Sequence, residues 1–136
     1  MGSYQRTRDP MGTLEILMLR GRSGAVYPFR VYILPVELPS AAAVVVCSKR
    51  TVEDDGRGTH KLIHISQTWD LADNLSNYKN LPCFKQYHAN CVCVYLDDNE
   101  RHRSMIESDL MSYYYPPCNN YPHAEHMAQG LAKEMQ

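Results

Sequence analysis

AAVVVCSKRTVEDDGRGTHKLIHISQTWDL, residues 42–71, is the stretch whose reading decides the fold. Its first part, AAVVVCSKR (42–50), is a short continuous apolar run, the pattern of a strand buried on both faces. TVEDDGRGT (51–59) is polar and holds two glycines, so the chain turns there. KLIHI (61–65) is a second short apolar stretch, and two strands this close in sequence read as a hairpin. A Ser66-Gln67-Thr68 turn then leads into a helix. Thr68 is placed to cap it and Asp70 suits its first turn, while Leu71, Leu75 and Tyr78 fall on one stripe.

Working outward, LEILMLR (14–20) reads as a strand broken by Gly21-Arg22-Ser23-Gly24. AVYPFRVYIL (25–34) is rich in aromatic and β-branched residues, but Pro28 confines its first half to a sheet edge or a lead-in. Pro82 ends or restarts helical structure, and ANCVCVYL (89–96) is a further strand. Asp97 and Asp98 open a helix to about Tyr114, with an apolar stripe of Ile106, Leu110 and Tyr113 and Met105 beside it. Pro116-Pro117 stops that helix. The expectation is one α+β domain over 13–120, a small, mainly antiparallel β-sheet flanked by α-helices. Residues 1–12 read as a flexible leader, and 121–136 as a polar tail with a short helix at HAEHMAQGLAKEM.

The 136 residues suffice for one real core. A net charge of −1 means that any field attracting nucleic acid has to be local. No apolar run approaches the length of a membrane span, and the first ten residues lack the apolar segment of a secretory signal. A cytoplasmic protein is therefore expected. The five cysteines include no CxxC pair, which argues against a zinc ribbon. They read as reduced thiols packed like small hydrophobes, with Cys91 and Cys93 on the same face of their strand.

Three stretches, VVVCSKR, HISQTWDL and RSMIESDLMSYYYPPCN, together resemble the GIY-YIG nuclease family in order and spacing. The resemblance covers roughly 43–119. The first signature falls on Ala43-Val44-Val45, so its tyrosine is Val45. The second falls on His64-Ile65-Ser66, so its tyrosine is His64 and its glycine Ser66. The family's helix arginine falls on Asn74, its metal-binding glutamate on Glu107, and its asparagine on Asn119.

The resemblance implies phosphodiester cleavage, in which a divalent ion polarises the phosphate and positive charge stabilises the transition state. Glu107 is the implied Mg²⁺ ligand, His64 a base in place of a phenol, and Asn119 the third catalytic position. Asn74 supplies neither the charge nor the donor fork of an arginine. Lys49, Arg50, Arg57, Lys61 and Lys79 gather near the hairpin with Glu53, Asp54 and Asp55 among them. Arg50, Lys61, Trp69 and Lys79 are the expected contacts to DNA or another nucleic acid. Three functions follow: a degenerate domain that binds nucleic acid or serves as a scaffold without cutting, a divergent Mg²⁺-dependent nuclease using His64 and Glu107, or a module for a protein partner.

Overall fold

The computed structural model describes residues 12–78 and 81–119. All of the expected leader but Gly12, together with Lys79 and the expected C-terminal helix, lies outside them. The elements are β1 (Glu15–Arg20), β2 (Val26–Ile33), β3 (Ala43–Val52), β4 (Gly58–Thr68), α1 (Leu71–Tyr78), α2 (Pro82–Tyr87), β5 (Cys91–Leu96) and α3 (Glu100–Tyr114). The five strands form one sheet in the order β1-β2-β5-β3-β4, with every neighbouring pair antiparallel. The α+β expectation holds. No described helix is long and apolar enough to cross a membrane.

β3 sits between β4 and β5, and its first six residues are all buried. Side chains alternate across a strand, so those residues feed two cores. Ala43, Val45 and Cys47 join Ile63, Leu71, Phe84, Val92 and Val94 on the face covered by α1 and α2. Val44 and Val46 join Phe29, Val31, Ile65, Cys91, Cys93, Ile106 and Leu110 on the face covered by α3. The sheet curls around this second face. Glu15, on edge strand β1, reaches His60 of the opposite edge strand β4 at 2.7 Å.

Several local expectations need correcting. Ser66, Gln67 and Thr68 are not a turn but the end of β4, because each pairs with a buried residue of β3 (Ser66 with Val45, Gln67 with Val44, Thr68 with Ala43). Asp70 rather than Thr68 caps α1: its carboxylate accepts from the Asp73 amide at 3.4 Å and its carbonyl from the Asn74 amide at 3.0 Å. α3 begins after Asn99, whose side chain accepts from the His102 amide, and it buries Arg103, Ile106 and Leu110. Tyr113 and Met105 are exposed. The buried row runs i, i+3, i+7, which turns both away from the sheet.

Pro28 behaves as its chemistry demands. The half of β2 that contains it pairs only with β1, and β5 joins from Arg30 onward. Pro82 restarts the helix as the first residue of α2. The expectation of five reduced thiols is wrong for two: Cys83 and Cys118 form a disulfide, while Cys47, Cys91 and Cys93 are buried free thiols. The bonded pair is 35 positions apart in sequence, yet the fold sets their Cα atoms at 5.8 Å. Spacing alone does not reveal such a pair.

Candidate functional site

The signature positions gather on the α1/α2 face. Val45 belongs to that core, and the pairings of β4 with β3 turn His64 and Ser66 to the same side. His64 lies against Phe84 of α2, ring centroids 5.6 Å apart. Burial pushes its imidazole down to about 4, because the charged form loses its hydration there. Asn74 on α1 brings a buried side-chain oxygen with no hydrogen-bond partner among the described residues.

Glu107 stands elsewhere. It lies on α3 next to Ile106, whose side chain belongs to the opposite core. His64 thus turns to the α1/α2 side of the sheet, whereas Glu107 is carried by α3, the helix that packs on the other face. Burial raises the Glu107 carboxyl, and no hydrogen bond or ion pair engages it among the described residues. As a single carboxylate it would hold Mg²⁺ only with waters and substrate phosphate as the other ligands. No group of three His, Cys, Asp or Glu side chains suited to a metal occurs among the described residues. Arg103, one turn before Glu107, points into the fold, donating to the Gln67 side chain at 2.9 Å and the Asp97 carbonyl at 3.0 Å.

Asn119 has a structural task. Its side-chain oxygen accepts from the Ile65 amide at 2.7 Å, and its side-chain nitrogen donates to the Ile65 carbonyl at 2.6 Å. This amide stands in for the next strand on the outer edge of β4. The segment after α3 thereby passes around that edge, and Cys118 reaches Cys83 beneath α2.

The expected nucleic-acid contacts divide. Arg50 is committed: its guanidinium donates to both Glu15 carboxylate oxygens, at 3.2 and 3.0 Å. Lys61 is exposed, its ammonium 5.5 Å from the centroid of the Tyr87 ring. Trp69 is 77% exposed between β4 and α1, so it does not close over the strand ends.

Two histidine clusters escaped the sequence reading because their members lie far apart in the chain or carry no signature. The first is buried. His60 Nε2–H donates to the Glu15 carboxylate at 2.7 Å, and its Nδ1 shares a 2.9 Å hydrogen bond with the Ser48 hydroxyl. The order serine, histidine, carboxylate suggests a nucleophilic triad. Yet Ser48 is 0% exposed, so no substrate reaches its oxygen. Arg50 and His60 together hold the Glu15 carboxyl below its usual range. The second cluster is Asp97 with His102. The Asp97 carboxylate accepts from the Asn99 amide at 2.9 Å and pairs with His102 Nδ1, which keeps its carboxyl low and fixes the start of α3.

No protein-family model, curated protein or solved structure matches this chain. The function therefore has to be argued from this geometry.

Proposed function

We propose that this chain is a degenerate GIY-YIG-like α+β domain that binds nucleic acid as a scaffold and does not cut it. One observation supports the loss of cutting: His64 packs on the α1/α2 side of the sheet, while the helix that carries Glu107 covers the other face. The remaining chemistry agrees. Val45 has no polar atom, Asn74 no charge, and the Asn119 amide is spent on the Ile65 backbone. Such losses remove the water activation and charge stabilisation that phosphodiester cleavage requires. The hairpin and its flanking helices remain as a rigid platform. Exposed Lys61 and Trp69 supply the kinds of side chain that hold a phosphate and stack on a base.

Supercoiled plasmid incubated with purified protein and Mg²⁺ or Mn²⁺ tests the reading. No nicking above the buffer control is expected, and Glu107→Ala should leave that result unchanged. Metal-dependent nicking that disappears in Glu107→Ala overturns it.

A further inference from the structure

We propose that Lys49, Lys61 and Tyr87 form a contact strip for single-stranded nucleic acid on the α1/α2 side of the sheet, an inference that rests on the nucleic-acid-binding reading above. Lys49 of β3 and Lys61 of β4 are direct cross-strand partners. Their neighbours Arg50 and His60 both meet Glu15 on the concave side, so the alternation of the strands turns both lysines to the other side. Directly opposed residues hold their Cβ atoms about 5 Å apart, and like charges in that arrangement repel. Both lysines are exposed, and neither has an ion pair among the described residues. An anion between the two ammoniums converts that repulsion into attraction.

The third member selects the kind of anion. The Lys61 ammonium lies over Tyr87, whose ring is partly buried against the α1/α2 core and so held in place. A phosphate that draws the Lys61 ammonium off the ring leaves that ring face to a base, so the pair matches one nucleotide, with its backbone on the lysine and its base on Tyr87. Only an unpaired base offers a face to a side-chain ring, so the strip suits a single strand rather than a duplex. It is also short. Thr59, two residues before Lys61 on the same side of β4, donates to the Glu53 carboxylate at 2.9 Å, which places negative charge toward the hairpin tip. The net charge of −1 adds no general field, so these few groups carry the attraction.

Fluorescence anisotropy of a labelled oligothymidylate, read across a salt series, tests this. Two neutralised phosphates on a single strand give a slope of log K against log salt of about −1.4. Lys49→Gln or Lys61→Gln, both surface changes, should each halve the slope and weaken binding about tenfold at low salt. Glu53→Gln should tighten binding several-fold. Tyr87→Leu should weaken it with the slope unchanged, while Tyr87→Phe retains it. Oligonucleotide binding unaltered in the folded Lys49→Gln/Lys61→Gln double variant overturns the strip but leaves the broader reading standing. No binding to single-stranded or duplex nucleic acid at low salt overturns both. Tighter binding of a polyglutamate chain than of the oligonucleotide overturns the nucleic-acid assignment in favour of an acidic peptide.

Discussion

His64 shows how burial decides what a titratable residue can do. Packed against Phe84 with its imidazole pushed down to about 4, it stays neutral through physiological pH. The unfolded chain takes up this proton near pH 6.5, whereas the folded one resists it down to about 4. Protons therefore favour the unfolded state in that window, and stability falls as pH drops through it. The expected loss from His64 between pH 7.5 and pH 5 is about 2 kcal/mol, given ~1.4 kcal/mol per pKa unit. Urea unfolding at the two pH values measures it, and His64→Leu should remove about that much of the difference. The lowered carboxyls of Glu15, Asp97 and Asp109 act only at lower pH, below their ordinary range. From sequence, His64 was legible as a titratable group at a signature position. The depth of its burial was not, because Phe84 comes from a helix twenty residues further on. Gly21 is a second residue whose importance needs coordinates. A Cβ there would meet an Asp109 carboxylate oxygen at 2.1 Å, and that carboxylate is held by the Ser23 amide, the Ser23 hydroxyl and the Tyr27 hydroxyl.

At the scale of elements, the hairpin of β3 and β4 was readable because an uninterrupted apolar run and a glycine-bearing polar turn leave few alternatives. The length of β4 was not. Ser66, Gln67 and Thr68 have turn chemistry in isolation, and they are drawn into the ladder by Val44 and its neighbours, as tertiary pairing overrides local preference. The bulge between Cys47 and Ser48 is likewise a property of the pair of strands. β4 is an edge strand, and an unblocked edge invites pairing with other chains. Asn119 blocks it at Ile65 with two hydrogen bonds, a function that no single-sequence cue announces. Asn119→Ala leaves an amide and a carbonyl of Ile65 without their protein partner, which should cost about 1–3 kcal/mol. Thermal or urea unfolding measures the loss. Asn119→Asp keeps the acceptor but sets a carboxylate oxygen against the Ile65 carbonyl, so it should not recover the stability lost in Asn119→Ala. An Asn119→Ala protein as stable as the wild type removes the edge-blocking role.

Over the whole molecule, the sheet has two differently organised faces: His64 turns to one, and the helix that carries Glu107 covers the other. Order along the chain gave no information on side: α1 and α2 leave the hairpin on one face, while α3 lies across the other. The curl of the sheet depends on a contact equally invisible in sequence, since Glu15 precedes its partners Arg50 and His60 by 35 and 45 positions. The His60 side chain is buried, and Glu15 and Arg50 are largely covered. Glu15→Gln keeps the shape but removes the charge that accepts the fork of Arg50 and the His60 N–H. A destabilisation of roughly 2 kcal/mol at pH 7 is expected, between the values for an exposed and a fully buried pair. The sign with pH follows from the lowered Glu15 carboxyl. Its contribution is fully present above its unfolded value of 4.5 and is lost as pH falls through the lower folded value. The gap between the wild type and Glu15→Gln should therefore narrow as pH falls below 4.5. Urea titrations of both proteins at pH 7 and pH 3.5 check this, and a gap that stays constant between them means that the carboxylate charge does not hold the two edges of the sheet together.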